Sequence, residues 1–175
     1  MRLLLTILFT STLVILTIGS PVPEVSWWRG HELLDNSYEE GYQDLVMNSV
    51  SLGPVSRGDH GTILTCLASN TNNTVPVSSR VTIDMILPPS HVSITTPPHS
   101  VSAGTEYILE CDTTGSVPSI IVTWYRGTQI LGDKERITFT PTHQDMGEVI
   151  TCRAENPAIQ DSAIQDTWTP TVFCK

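Results

Sequence analysis

The chain has 175 residues, room for one medium domain or two small ones. Hydrophobic content is 39%, with 11 glycines and 12 prolines, and short Val, Ile and Thr runs are broken by Pro, Gly, Asn and Ser, which favours an all-β chain over a helical one. A formal net charge of −9 without any Lys/Arg cluster argues against a nucleic-acid partner, because phosphate binding needs a clustered basic face.

At the N-terminus, Arg2 precedes Leu3-Leu4-Leu5-Thr6-Ile7-Leu8-Phe9, and the apolar character continues to Ile18. A short charged start before a hydrophobic stretch resembles a signal peptide. Gly19-Ser20-Pro21 makes a poor cleavage site, and the stretch approaches the minimum length of a membrane span. Residues 1–19 therefore read as a signal-like or membrane-spanning segment. Leu13 to Thr17 admit two readings: the end of that segment, or a strand merged with it. No other stretch is apolar enough to cross a bilayer, so no C-terminal anchor is expected.

Trp27-Trp28-Arg29-Gly30 then opens a strand and turn. Asp59-His60-Gly61-Thr62-Ile63-Leu64-Thr65-Cys66-Leu67-Ala68-Ser69-Asn70 leads from a corner into an alternating run. Asp-x-Gly suits the corner, since the Asp accepts from backbone amides and the Gly takes a conformation that other residues resist. Val81 to Ile86 reads as a closing strand. Leu87-Pro88-Pro89-Ser90 marks a boundary, and a link of almost no length predicts a stiff tandem. Beyond it, His91 to Ile94 begins a second set of strands. Cys111 ends the run from Tyr107, Trp124 lies in Ile121 to Tyr125, and Cys152 lies in Val149 to Ala154. Between Gly127 and Ile137 there is room for a short strand at Gln129-Ile130-Leu131 and a turn at Gly132-Asp133-Lys134, before a strand at Ile137 to Thr140. The last candidate strand, Thr167 to Phe173, contains Pro170, which sits badly in a central strand.

The pattern occurs twice. Asp59 to Asn70 matches Asp145 to Asn156, and Trp27-Trp28-Arg29-Gly30 matches Trp124-Tyr125-Arg126-Gly127. Cys…Trp…Cys on three strand-like runs is the order of an immunoglobulin sandwich: strand B Cys111, strand C Trp124, strand F Cys152. That order implies a Cys111–Cys152 disulfide between the sheets with Trp124 packed on it. Trp27 and Cys66 take the strand C and strand F places of the first copy. The expected fold is all-β, two tandem immunoglobulin-like β-sandwiches, the first incomplete. Residues 20–87 form the first domain and 88–175 the second. Ile15 aligns with Cys111, so the first domain lacks the strand B cysteine and Cys66 has no local partner. The interval from Trp to the strand F cysteine is shorter in the second copy, so its strand D is expected to be vestigial. Neither copy has the tyrosine of the tyrosine corner, and each carries one extra residue before the strand F cysteine, which a bulge in strand F would absorb.

The chain resembles arthropod immunoglobulin-superfamily cell-surface proteins, and most closely the Sidestep family. The resemblance covers about Ser20 to Trp168. It rests on Trp27 to Gly30, Leu33-Leu34-Asp35, Leu64 to Thr71, Val81 to Met85, Phe139-Thr140-Pro141-Thr142, Cys152 to Pro157 and Ser162 to Trp168. It implies a guidance or adhesion cue that binds other immunoglobulin proteins, notably the Beaten path family. It also implies several tandem immunoglobulin domains, a fibronectin type III domain and one membrane span. This chain carries about two domains, which suggests a fragment, a partial gene model or a short soluble form.

Asn72-Asn73-Thr74 is a glycosylation sequon on the predicted F–G loop of the first domain. Arg57-Gly58-Asp59 spells the integrin tripeptide, but Asp59 already has a structural task at the corner. His31, His60, His91, His99 and His143 have no metal-ligand spacing and read as solvated loop residues. No Gly-x-Ser-x-Gly elbow or calcium loop is present, so neither catalysis nor a cofactor or metal is expected. Cys66 and Cys174 are left unpaired, as a buried thiol and a tail residue, with a Cys66–Cys174 bridge or an intermolecular bond as the sharper alternatives. A stable disulfide implies an oxidising compartment, extracellular or at the cell membrane. The function expected is adhesion or recognition through another immunoglobulin-type surface protein, as in axon guidance. Tyr125, Arg126, Gln129 and Arg153 are candidates on the second domain's C–F–G face. A truncated product without independent function and an intracellular structural tandem are the alternatives. Membrane attachment, if any, would run through the N-terminal apolar segment.

Overall fold

Alternation of apolar and polar side chains is what turns this chain into strands, because successive side chains on a strand point to opposite faces. In Thr12–Ile18, for example, Leu13, Ile15 and Thr17 are buried while the residues between them are not. The structure, a computed structural model, describes residues 2–7, 12–71, 75–96 and 100–173. It divides into two compact units, Met1–Met85 and Ile86–Lys175.

The first unit contains β1 (Arg2–Ile7), β2 (Thr12–Ile18), β3 (Glu24–Arg29), β4 (Glu32–Asp35), β5 (Glu39–Glu40), β6 (Leu45–Ser51), β7 (Ile63–Ser69) and β8 (Val77–Thr82). They form two four-stranded sheets, ordered β1-β2-β6-β5 and β4-β3-β7-β8. In immunoglobulin terms these are A-B-E-D and C′-C-F-G. The described part of the N-terminal apolar segment is thus strands A and B. β2 pairs with β6 over its whole length, from Thr12 opposite Ser51 to Ile18 opposite Leu45. Ile15, Val25, Trp27, Val46, Leu64, Cys66 and Ala68 make the core between the sheets. Strand G begins at Val77, earlier than the expected Val81, and pairs with β7 in unbroken register.

The second unit contains β9 (His91–Thr96), β10 (Ser100–Ser102), β11 (Tyr107–Thr114), β12 (Ile121–Arg126), β13 (Gln129–Gly132), β14 (Arg136–Phe139), β15 (Ile150–Glu155), β16 (Ile164–Trp168) and β17 (Thr171–Phe173). One sheet runs β14-β11-β9 and the other β13-β12-β15-β16, while β10 and β17 pair in parallel. Among the described residues no strand D stands between β13 and β14. The shortened connection brings Ile137 against Gly132, where a Cβ would lie 2.7 Å from Ile137 Cγ2. Pro170 falls at the break between β16 and β17, so strand G changes pairing partner there and the proline needs no ladder bond. Strand F pairs without a register shift in either unit, contrary to the expected bulge; the shifts lie in strand C opposite C′, at Trp27/Trp28 and Trp124/Tyr125. At the corner Gly61 and Gly147 have φ of 79° and 74°, the conformation that the Gly of Asp-x-Gly supplies.

Buried Asn156 closes one end of this unit. Its side-chain amide donates to the carbonyls of Leu87 and Val117 at 2.8 and 2.7 Å, and its Oδ1 accepts from the Ala158 amide at 2.9 Å. Two backbone carbonyls are thereby served by one side chain.

Candidate functional site

Each unit is built around the same frame, completed differently. In the second, Cys111 and Cys152 form the disulfide, and Trp124, fully buried, donates its Nε1–H to the Lys134 carbonyl at 2.9 Å. In the first, Trp27 is equally buried, but its Nε1–H meets no acceptor. Cys66 is a free, buried thiol, and fully buried Ile15 stands on strand B where a bridging cysteine would be. Burial pushes the Cys66 thiol up to about 12, so at neutral pH it is an inert apolar group. Asn72 and Cys174 lie outside the described residues, as does His99.

The E–F corners are locked by a pair of residues that the repeat contains but whose contact spacing alone does not announce. In the second unit Arg126 donates to Asp145 Oδ1 at 2.6 Å, and the Thr142 amide and hydroxyl donate to Oδ2 at 2.6 and 2.7 Å. Burial would push the Asp145 carboxyl up; the bonds from Arg126 and Thr142 outweigh it and hold the carboxyl below its ordinary range. In the first unit Ser56 caps Asp59 in the same way, at 2.8 Å from both amide and hydroxyl, while Arg29 stands 3.6 Å off. The Ser56 amide, then its hydroxyl, hold the Asp59 carboxyl down. The Asp of Arg57-Gly58-Asp59 is therefore committed to the corner. The signal was available: Arg and Asp recur at matching places in both copies.

Arg126 thus locks the corner, and its second nitrogen donates to Gln129 at 2.6 Å at the surface. Arg153 pairs with Glu155 at 2.7 Å. Of the four expected contact residues, Tyr125 and Arg153 lie on the outward rows of strands C and F, and Gln129 is exposed at the start of C′. The histidines divide: His31, His91 and His143 are exposed, whereas His60 is half-buried and accepts from the Met85 amide at 3.2 Å. Among the described residues no His, Cys, Asp or Glu side chains cluster as a metal site.

The first unit carries the richer outer face. Across C′-C-F-G, Leu33, Trp28, Thr65 and Arg80 lie in one register row. Trp28 donates its Nε1–H to Ser26 Oγ at 2.8 Å, which ties the indole to its own strand. Leu33 is 44% exposed, and Arg80 is exposed as well. Beside Trp28 runs an open groove of about 350 Å³, lined also by Glu24, Ser26, Leu33, Asn36 and Tyr38. Trp, Tyr and Arg give the most contact energy per residue at protein interfaces.

No family model matches the chain. Human Contactin-2 is 26% identical over 147 residues, 79% of this chain and 14% of that protein. Human Kin of IRRE-like protein 2 is 26% identical over 144 residues, covering 78% and 20%. Human cell adhesion molecule DSCAML1 is 27% identical over 122 residues, covering 69% and 6%. The relatives are immunoglobulin-superfamily cell-adhesion proteins. The chain spans no more than a fifth of the length of these three relatives. The full ectodomain of mouse nectin-like molecule 4 superposes with a TM-score of 0.67 at 18% identity, covering 99% of this chain and 64% of that one. Rst D1-D2 gives 0.64 at 14%, covering 99% and 100%. These likenesses establish the tandem immunoglobulin fold. The curated relatives are not enzymes, and the location expected here, extracellular or at the cell membrane, agrees with theirs.

Proposed function

We propose that the chain is an extracellular adhesion or recognition module whose first unit binds another immunoglobulin-superfamily surface protein through its C′-C-F-G face. The observation that carries this reading is the row Leu33–Trp28–Thr65–Arg80, with the groove beside it. A pinned indole loses little entropy on binding, and aliphatic and guanidinium neighbours surround it with further contact area. The residues shared with the Sidestep family suggest a guidance cue and a Beaten path-type partner. Asn72, between β7 and β8, would carry a glycan; N-glycosidase digestion should lower the mass of the secreted protein, but not that of Asn72→Gln.

The test is binding of the secreted chain to an array of immunoglobulin-superfamily ectodomains displayed on cells. At least one should bind, and Trp28→Ala should weaken it by roughly 30-fold, the size of a hot-spot loss. Binding indifferent to Trp28→Ala and Arg80→Ala, or none across the array, would refute the assignment.

A further inference from the structure

Strand G of the first unit ends on a side chain. After β8 stops at Thr82, Ile83 still meets the corner through two backbone bonds. Its amide donates to the Thr62 carbonyl at 2.9 Å, and its carbonyl accepts from the Gly61 amide at 2.8 Å. Two residues on, the Met85 amide makes the next bond, and its acceptor is His60 Nδ1 at 3.2 Å. An imidazole nitrogen accepts only while it carries no proton. The tie therefore belongs to neutral His60, with the ring proton on Nε2.

The repeat marks this histidine as particular to the first unit. Met146 stands at the matching place in the second, 55% exposed, and its thioether is at best a weak acceptor. There strand G runs on into β17, which pairs with β10. In the first unit the residues after β8 enter the link instead. Leu87 exchanges two backbone bonds with Val117, at 3.0 and 3.1 Å, and its carbonyl also accepts from Asn156. Met85 is thus held by the first unit and Leu87 by the second, with exposed Ile86 alone between them.

The charges near His60 decide what a proton does there. The ring is 31% exposed, so water reaches it, and Asp84 sets its Oδ1 3.8 Å from the same Nδ1 that accepts from Met85. On the histidine's own turn, Asp59 is held by Ser56 with Arg29 beside it, and Arg57 is the remaining charge. Asp84 is therefore the carboxylate placed to accept from a protonated Nδ1. A protonated ring would set its N–H against the Met85 N–H, donor to donor, and a short shift would give it Asp84.

We propose that His60 is a proton-operated latch on the end of strand G. At neutral pH it holds Met85. Protonation passes Nδ1 from Met85 to Asp84 and releases the Met85 amide to water. The bonded backbone of the first unit then ends at Ile83, whose partners are backbone groups that do not titrate. Residues 84–86 are left without a backbone bond, a longer free link than Ile86 alone.

Hydrogen exchange read by NMR on the intact chain tests the latch. Protection of the Met85 amide, taken relative to the unstructured rate at each pH, should fall roughly tenfold or more between about pH 7.5 and about pH 5. The amides of Ile83 and Leu87, bonded to backbone carbonyls, should keep theirs. His60→Gln, which cannot gain a proton, should abolish the pH dependence. Asp84→Asn changes an exposed side chain and should move the release to lower pH, because the protonated ring loses its acceptor. Met85 protection that is the same at both pH values in the wild type, a pH-dependent loss that persists in His60→Gln, or a midpoint indifferent to Asp84→Asn would overturn the proposal.

Discussion

Asp145 and Asp59 do the same work with different firmness. Asp145 is fully buried, accepts three short hydrogen bonds and neutralises Arg126. Asp59 keeps the two bonds from Ser56, but its arginine stands at 3.6 Å, and Arg29 Nε has no partner. Asp145→Asn leaves Arg126 half-buried without its counter-charge and weakens the cap, which should cost the second unit roughly 3 kcal/mol in chemical denaturation. Asp59→Asn should cost the first unit less. The sign of the pH effect follows from the lowered carboxyl: its stabilisation is present above the ordinary value of 3.8 and is lost as pH falls through the lower folded value. These aspartates were legible as corner residues from Asp-x-Gly. Their arginines recur at matching places in both copies, but the repeat does not announce the contact, which joins strand C to the corner across chain segments that no local pattern links.

Strand B decides how complete each sandwich is. In the second unit β11 brings Cys111 to the core and the disulfide closes there. In the first, β2 brings Ile15 to the same depth, so Cys66 packs against a hydrocarbon. The first unit also leaves more buried polar atoms unserved. Thr17 Oγ1, Trp27 Nε1, Arg29 Nε and Asn48 Oδ1 lack partners there, against Trp168 Nε1 in the second, among the described residues. Each such atom costs about 1–3 kcal/mol, which makes the first unit the weaker. Ile15→Cys should let the introduced thiol bridge to Cys66 and stabilise that unit by roughly 2–4 kcal/mol, read from intact mass and from thermal melts with and without reductant. A failure to oxidise would mean that β2 does not sit opposite β7. The alignment of Ile15 with Cys111 was legible because the repeat fixes it. That β2 is a paired strand was not, since an all-apolar run serves a leader and a buried strand equally well; only the partner β6, with its own alternating residues, distinguishes them.

At the scale of the whole molecule, the two-sandwich plan followed from a few large or covalent features. Cys111, Trp124 and Cys152 occupy the centre of one core, and Trp27 and Cys66 mark the other. The lost strand D was readable as a shortened interval. The outer faces were not, because exposure depends on which residues the register sets side by side. Trp28 beside Thr65 and Arg80, and Leu16 beside Met47, come together from distant parts of the chain. The Cys111–Cys152 disulfide also governs how such a protein carries load. A bond spanning 41 positions removes that stretch of backbone from any extension, whereas the first unit can unravel entirely. Pulled from its ends, the chain should yield first in the first unit. Cleaving Cys111–Cys152 should then add roughly 140 Å of contour length, at about 3.4 Å per residue. Single-molecule stretching with and without reductant would register the difference. Between two anchored surfaces, one half of this tandem would act as a slack reserve and the other as a stop.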